Sequence, residues 1–199
     1  MYSAPPWDRT EILRYAGVRG DAPEVNLLLE ECLREVEDRL TYKVCFREFD
    51  VTAVENGLNL GFMKTSSETV RKRLLGCNRV VVFAATVGIE MDRLIVRYST
   101  LSPTKALLLQ AIGAERIESL CERFSEELAA QMAKEGVRTS SRFSPGYGDF
   151  PLETQREIFA VLECSKRMGL TLNESLLMSP SKSVTALIGL ARNDQIIGE

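Results

Sequence analysis

The sequence predicts an α+β domain, with an antiparallel or mixed sheet flanked by helices and a long central helix. Three observations support this class. Segments with helical and with strand periodicity follow one another irregularly along the 199 residues, without a regular β-α-β order. The apolar run at Arg79–Thr86 is typical of a central strand buried on both faces. A helical pattern begins at Ser102-Pro103 and continues to about residue 135, with Gly136 just beyond it.

The first part of the chain is predicted to be helical and then stranded. Residues 10–16 favour a short helix, and Pro23 opens a second helix at its first position, where a missing N–H is harmless. From Val44 onward, apolar residues alternate with others as in a half-buried strand. The dipeptide Asn56-Gly57 predicts a hairpin turn, because both residue types tolerate positive φ.

Three further elements complete the predicted order. The segment Thr65-Ser66-Ser67-Glu68 matches a capping box that starts a helix ending near Gly76. Residues 153–168 have the pattern of one amphipathic helix, with Gly169 as its terminator. A last strand is predicted over residues 183–190, where most side chains are apolar.

Length and composition predict one domain over residues 1–199, with residues 1–40 as a helical N-terminal extension. The first six residues are expected to be a mobile lead-in. A net charge of −3, with acidic and basic residues well mixed, argues against nucleic acid or an anionic membrane as the main partner. The densest basic run, Arg71-Lys72-Arg73, is interpreted as a solvated helix face.

Histidine and cysteine usage narrows the chemistry. The sequence contains no histidine, which excludes Ser-His and Cys-His catalytic pairs, imidazole metal sites and an axial imidazole for cobalt or haem. The five cysteines are odd in number and include no C-x-x-C pair, which favours reduced core thiols. With no secretory signal pattern and no apolar run near the ~20 residues of a membrane span, a cytoplasmic protein is expected.

Residues 142–151, here called the Arg142 loop, are predicted to form a shaped loop. Their sequence, RFSPGYGDFP, combines a guanidinium and a phenol with two glycines and two prolines. The loop would hold Arg142 and Tyr147 in a fixed relation. A guanidinium binds carboxylates bidentately, and an aromatic face attracts a cation by roughly 0.5–2 kcal/mol. The residue pattern leaves a structural salt bridge of Arg142 as the alternative. Asp149 and Glu153 are expected to favour the start of the following helix.

The Arg142 loop resembles the Arg-x-x-Pro-Gly-Tyr signature of the activation domain of cobalamin-dependent methionine synthase. Further motifs of that domain follow here in the same order: Gly169-Leu170-Thr171-Leu172-Asn173-Glu174-Ser175, then Met178-Ser179-Pro180, then Ser183-Val184. Upstream segments resemble the stand-alone form of that domain: Tyr15-Ala16-Gly17, residues 84–88 and residues 111–118. The resemblance covers nearly the whole chain and is strongest after residue 140.

This resemblance implies a site for S-adenosylmethionine. The cofactor-binding residues that it implies are Glu118, Arg142, Ser144, Gly146, Tyr147 and Glu174. Arg142 would hold the methionyl carboxylate, the backbone at Ser144 would meet the adenine, and Tyr147 would lie near the methyl group and the corrin face. No residue of this chain is expected to act as a catalytic acid, base or metal ligand.

Two of these assignments have plain structural alternatives. Glu118 matches an acidic residue that lines the same cleft in the family, but it also fits a solvent-facing position on the central helix. Glu174 matches a turn beside the site, and it also fits an ordinary surface turn stabilised by Asn173 or Ser175.

The resemblance further implies a role in reactivation. In the family, methylation by S-adenosylmethionine traps cobalt(I) as it forms and thereby draws the reduction of inactive cobalt(II) forward. This chain would be a separately encoded activation subunit that docks on a cobalamin-binding methionine synthase chain or a related corrinoid protein. A flavodoxin or ferredoxin would donate the electron. The alternatives are reactivation of another corrinoid methyltransferase and a ligand-free interaction module of the same fold.

The sequence departs from the family pattern at two places. Gly148 stands where the family has a proline, and residues 186–189 replace aromatic residues that follow the Ser-Val strand. No tyrosine follows Tyr147 in the sequence. The missing aromatics are the observation that motivates the ligand-free alternative.

Overall fold

The computed structural model describes residues 2–20 and 22–192. The described helices are α1 (Arg9–Tyr15), α2 (Pro23–Val36), α3 (Glu68–Arg73), α4 (Glu90–Leu101), α5 (Pro103–Ala133), α6 (Gln155–Leu162) and α7 (Cys164–Met168). The described strands are β1 (Lys43–Asp50), β2 (Thr52–Val54), β3 (Gly57–Asn59), β4 (Lys64–Thr65), β5 (Arg79–Thr86), β6 (Val137–Thr139), β7 (Thr171–Leu172), β8 (Met178–Ser179) and β9 (Ser183–Arg192).

The main sheet has four strands in the order β1-β5-β9-β6, and all of its pairs are antiparallel. The central pair runs from Arg79 opposite Leu190 to Thr86 opposite Ser183. Both central strands are rich in apolar residues because helices or loops cover both faces of the sheet. The predicted α+β class is confirmed, and β5 begins and ends where the apolar run predicted it.

The two faces of the sheet bury different sets of elements. Helices α1, α2, α4 and α5 pack on one face, and α3, α6, α7 and the Arg142 loop pack on the other. Since side chains alternate along a strand, Val81 and Phe83 of β5 point to the first face and Val80 and Val82 to the second. The Arg142 loop is therefore part of the core on the second face.

The central helix α5 has 31 residues and is about 46 Å long. It begins at Pro103, as predicted, because proline at the first helical position loses no hydrogen bond. Its buried residues include Ile112, Leu120 and Phe124, which contribute to the first hydrophobic cluster. The helix carries Glu118 toward the loop on the far side of the sheet edge.

The N-terminal segment is packed against the domain, so the prediction of a mobile lead-in is wrong for residues 2–6. The N–H of Tyr2 donates to the carbonyl of Tyr42 at 2.9 Å. The guanidinium of Arg116, which is fully buried, donates to the carbonyls of Pro5 and Pro6 at 2.7 Å each. Its Cζ lies 4.1 Å from the ring centroid of Trp7. The hydrogen bonds to Pro5 and Pro6 come from Arg116, a buried charged residue of α5. The sequence of the first six residues alone could not reveal them, because Arg116 lies more than a hundred positions away.

The extension predicted at residues 1–40 contains α1 and α2, and both pack into the first hydrophobic cluster. Ile12 of α1 is fully buried, and Leu29 of α2 is nearly so. The two helices pack against α5 rather than standing away from it. The limits of the domain and of its extension stay a prediction.

Two helical predictions need correction. Residues 153–168 are not one helix: a 3₁₀ turn at Leu152–Thr154 precedes α6, and Glu163 separates α6 from α7 in the left-handed region, with φ 52° and ψ 43°. The break turns Cys164 into the second hydrophobic cluster beside β1. The cap of α3 is Ser67 rather than Thr65, because the Ser67 hydroxyl accepts the N–H of Val70 at 3.2 Å. None of the described helices has the length and apolar character needed to cross a bilayer.

Candidate functional site

The base of the Arg142 loop is attached to a central strand through Phe143. The N–H of Phe143 donates to the carbonyl of Leu187 at 3.0 Å, and the N–H of Leu187 donates back to Phe143 at 2.8 Å. The buried Phe143 ring lies 6.0 Å from the ring of Phe150, measured between centroids. Arg142 directly precedes Phe143 in the chain. The backbone hydrogen bonds between Phe143 and β9 therefore fix the position of the Arg142 backbone as well.

The tip of the loop is a tight turn that depends on glycine. The N–H of Gly146 donates to the carbonyl of Phe150 at 2.8 Å, and the N–H of Phe150 donates to the carbonyl of Tyr147 at 3.1 Å. Gly148 has φ 60°, a value that proline cannot adopt. A Cβ atom at residue 148 would lie 2.4 Å from Oγ1 of Thr69. The glycine that replaces the family proline is thus required by the backbone of this chain.

Asp149 joins the loop to helix α3, which corrects the prediction that it favours the following helix. Its carboxylate accepts the hydroxyl of Ser67 at 2.6 Å and the N–H groups of Glu68 at 2.7 Å and Thr69 at 2.9 Å. The hydrogen bond from the Ser67 hydroxyl, followed by those from Thr69 and Glu68, holds the pKa of Asp149 well below its usual range. The carboxylate therefore stays ionised and complements the free N–H groups at the start of α3.

A cleft of about 280 Å³, here called the loop cleft, lies where the Arg142 loop meets α3. This volume is near the lower limit of small-molecule sites, which span roughly 300–1,000 Å³. Its lining residues are Arg73, Arg142, Phe143, Ser144, Pro145, Gly146 and Tyr147. Four of the six predicted cofactor-binding residues are therefore brought together: Arg142, Ser144, Gly146 and Tyr147. The side chain of Tyr147 is 67% exposed and stands at the surface of the cleft.

Glu118 reaches the loop cleft through Arg142. The Arg142 guanidinium donates to the Glu118 carboxylate in an ion pair, with side chains 30% and 43% exposed. Partial burial alone would lower the pKa of Arg142, but the hydrogen bond and the charge of Glu118 outweigh it and raise that pKa. The salt bridge left open as the alternative for Arg142 thus exists. Because both side chains are partly exposed, such a pair contributes only about 0–1 kcal/mol, so a ligand can open it.

Glu174 lies apart from the lining residues of the loop cleft. It is in the turn between β7 and β8, where its carbonyl accepts the guanidinium of Arg156 at 3.4 Å. Its side chain is exposed. The role of Glu174 in ligand binding stays a prediction, and the turn around it is stabilised by Asn173, whose side chain accepts the N–H of Leu177 at 2.9 Å.

Arg73 is the cleft residue that the sequence interpretation missed. It lies in the basic run interpreted as a solvated face, yet it is half-buried and lines the loop cleft. Arg71 of the same run does face solvent and pairs with Glu68. The helical pattern alone could not reveal this, because Arg73 meets the cleft only through the contact of α3 with the loop around Asp149.

The cysteine nearest this ion pair offers no nucleophile. Cys121 lies on α5, one turn beyond Glu118, and its side chain is fully buried. Burial raises the pKa of its thiol to about 12, so the thiol stays neutral at physiological pH. The chemistry of the cleft is therefore that of charges, hydrogen bonds and an aromatic ring.

A second, larger groove of about 700 Å³ lies between the N-terminal segment and α5. Trp7, Asp8, Glu122 and Glu126 are among its lining residues. None of the six predicted residues lines it. The loop cleft, which combines a fixed guanidinium with an exposed phenol, is therefore the candidate site.

Comparisons with known proteins agree with the sequence resemblance. A family model described as "Vitamin B12 dependent methionine synthase, activation domain" matches residues 67–195, a range that contains α3, α5, the Arg142 loop and Glu174. A solved structure described as "Crystal Structure of the MetH Reactivation Domain bound to AdoHcy" has a similar fold, with a TM-score of 0.66 and 18% sequence identity. The similarity covers 92% of this chain and 73% of that one. At this identity, the likeness establishes the fold.

Proposed function

This chain belongs to the family of vitamin B12 dependent methionine synthase activation domains, and on that basis we propose that it binds S-adenosylmethionine and supports reductive methylation of cobalamin in a partner chain. The observation that carries the proposal is that Arg142 and Tyr147 line one cleft and that Glu118 forms an ion pair with Arg142 there. The solved MetH reactivation domain is described with AdoHcy, which is S-adenosylmethionine without its methyl group.

The Arg142–Glu118 pair is suited to the methionyl end of the ligand. That end is a zwitterion with one carboxylate and one ammonium group, and the pair offers an opposite charge to each. If the ligand inserts between the two side chains, Arg142 binds the carboxylate and Glu118 binds the ammonium. Both side chains then remain neutralised, so opening the pair leaves no charge without a partner.

The rest of the ligand follows the loop. The backbone of Ser144 and Gly146 lines the cleft and is proposed to meet the adenine. The exposed ring of Tyr147 attracts the sulfonium and is free to contact the corrin face of a docked partner. Glu174 is proposed to border the ligand from the β7–β8 turn.

The task of this chain is positioning. Cobalamin held by the partner would provide the methyl acceptor, with a flavodoxin or ferredoxin as its reductant. Methyl transfer from a sulfonium moves no proton, so the residues of the cleft need only orient the methyl group and exclude water. A sequence without histidine can perform this role. A cytoplasmic location is part of the proposal, since all five cysteines are free thiols, as expected in a reducing compartment.

Ligand titration and reactivation together test the proposal. We expect S-adenosylmethionine to bind the wild type, and Arg142→Gln to weaken binding roughly ten- to a hundredfold, because a charge-assisted hydrogen bond contributes about 1.5–3 kcal/mol. Arg93→Gln is the matched control, since Arg93 is exposed and pairs with Glu90 on α4. Equal affinities of wild type and Arg142→Gln would remove Arg142 from the site.

The reactivation experiment addresses the partner. The protein is added to an oxidised cobalamin-dependent methionine synthase chain with S-adenosylmethionine and a reduced flavodoxin or ferredoxin, and recovered activity is measured. Recovery that requires all components supports the proposal. Recovery only with a different corrinoid methyltransferase would support the second assignment made from the sequence.

A ligand-free interaction module is the remaining candidate, and two observations favour it. Arg142 is already engaged by Glu118, and the residues that replace the family aromatics lie buried in β9, where they fill the core. Binding to the corrinoid partner without any binding of S-adenosylmethionine would support this candidate over the first.

A further inference from the structure

The loop cleft contains a second guanidinium, which the proposed function does not use. The charge of Arg142 is balanced by Glu118, whereas Arg73 has no acidic partner among residues 2–20 and 22–192. Arg71, two residues earlier on the same helix, is paired with Glu68. The net positive charge of the cleft therefore comes from Arg73.

The position of Arg73 is fixed by packing at both ends of α3. At its start, Asp149 accepts the N–H groups of Glu68 and Thr69 and so holds the helix against the loop. At its end, the neighbouring Leu74 is 3% exposed and belongs to the second hydrophobic cluster. The helix cannot rotate about its axis without exposing this buried residue, so the backbone of Arg73 is held beside the cleft.

We propose that Arg73 is a second carboxylate-binding residue of this site. A carboxylate has two oxygens with about four acceptor positions, so it can accept hydrogen bonds from two guanidinium groups. In the bound state, Arg142 and Arg73 share the carboxylate of the ligand, and Glu118 binds its ammonium. The inference rests on the proposed function, because it assigns a further residue to the same ligand.

Charge repulsion gives Arg73 a second effect, on orientation. A guanidinium attracts the carboxylate and repels the sulfonium of the same ligand. The methionyl end is therefore drawn toward Arg73, and the sulfonium is directed away from it, toward the exposed ring of Tyr147. Arg73 thus selects the orientation in which the methyl group faces the outside of the cleft.

Calorimetric titration with two ligands tests the inference. The first ligand is S-adenosylmethionine, and the second is its decarboxylated form, which keeps the sulfonium and the ammonium. We expect Arg73→Gln to weaken binding of the first ligand on the order of tenfold. Binding of the second ligand, which has only positive charges, should stay the same or become slightly tighter, because a repelling cation is removed. Arg73→Lys, which keeps the charge but loses the planar fork, should fall between wild type and Arg73→Gln for the first ligand.

Arg71→Gln is the matched control, because it removes the same charge from the same helix at a position that does not line the cleft. It should leave both affinities unchanged at constant ionic strength. Thermal unfolding of each variant checks that the fold is retained. The inference is overturned if Arg73→Gln binds S-adenosylmethionine as the wild type does, or if it weakens both ligands equally.

The result also separates this inference from the proposed function. If the wild type binds and Arg142→Gln weakens binding while Arg73→Gln does not, only the assignment of Arg73 fails. If the wild type binds neither ligand, the proposed function fails and the inference fails with it.

Discussion

Glu118 of the central helix and Arg142 of the loop form an ion pair across 24 positions of sequence, and this pair joins two elements that the main sheet keeps apart. The pair is partly exposed, so it contributes little to folding. Its placement at a cleft is the basis for proposing that it binds a ligand that carries both charges.

Replacing Glu118 tests whether it binds the ligand or competes with it. We expect Glu118→Gln to weaken S-adenosylmethionine binding roughly five- to tenfold, since the ammonium loses an ionic partner. The free energy of unfolding should change by less than about 1 kcal/mol, because the pair is exposed to solvent. Titration calorimetry and urea unfolding measure the two effects. Tighter binding by Glu118→Gln would show that Glu118 blocks Arg142.

The turn at Gly148 predicts a steric effect beyond the usual cost of a left-handed residue. Gly148→Ala should lower the free energy of unfolding by about 2–5 kcal/mol: about 1–2 kcal/mol for the left-handed backbone, and about 1–3 kcal/mol for overpacking, because the new Cβ would lie 2.4 Å from Thr69 Oγ1. Gly17→Ala is the control: Gly17 has φ 71° with no atom within 4 Å of such a Cβ, so it should cost only about 1–2 kcal/mol.

A second substitution separates the two contributions at residue 148. Adding Thr69→Ala to Gly148→Ala removes the clashing hydroxyl and should restore part of the lost stability in urea unfolding. If Gly148→Ala lowers the free energy of unfolding no more than Gly17→Ala does, the side chain of Thr69 moves aside at little cost, and the steric prediction is wrong.

Asp149 predicts a specific dependence of stability on pH. Its hydrogen bonds to α3 lower its pKa in the folded state below the value of about 3.9 expected when unfolded. The carboxylate therefore stabilises the fold above about pH 4, and this stabilisation is lost as the pH falls toward the folded-state pKa. We expect Asp149→Asn to be less stable than wild type at pH 7, and the difference to shrink below about pH 4.

Urea unfolding of both proteins between pH 7 and pH 2 measures this difference. Asp38→Asn is the control, since Asp38 is an exposed acid outside the loop and α3. A difference between wild type and Asp149→Asn that stays constant over this range would mean that the carboxylate charge has no part in capping α3.

The buried pair of Glu115 and Arg116 predicts the largest loss of stability. Arg116→Met removes the donor to Pro5 and Pro6 and leaves Glu115 buried without its cation, so we expect a loss of about 3–5 kcal/mol. Trp7, the only tryptophan in the sequence, lies against the guanidinium, and its fluorescence should shift to the red. The double variant Glu115→Gln/Arg116→Met should recover part of the loss. A loss below about 1 kcal/mol would contradict this account of the N-terminal segment.

Elements determined by local pattern were predictable from the sequence. The strand at Arg79–Thr86 and the helix start at Pro103 depend on apolar runs and on the fixed φ of proline, which neighbouring residues alone reveal. The break at Glu163 was not predictable, since glutamate has no preference for the left-handed region. Packing of Cys164 against the sheet side of the core imposes it.

The site was predictable in part for the same reason. Arg142 and Tyr147 belong to one short motif, and the motif forms one cleft. The sequence interpretation misjudged Arg73 and Asp149 because the segments that they contact lie far away in the sequence. Asp149 caps a helix about 80 positions earlier. That contact places Arg73, the last residue of the basic run, in the wall of the cleft.

We expect two different rates of amide hydrogen exchange within the loop, because Phe143 and Leu187 form reciprocal backbone hydrogen bonds. β9 lies between β5 and β6, so its amides exchange only when the sheet opens, and the amide of Phe143 shares that protection. The exposed tip at Tyr147 is outside the sheet and exchanges through small local fluctuations. A partner that docks as proposed would therefore change the conformation of the phenol end of the loop while the guanidinium end keeps its position.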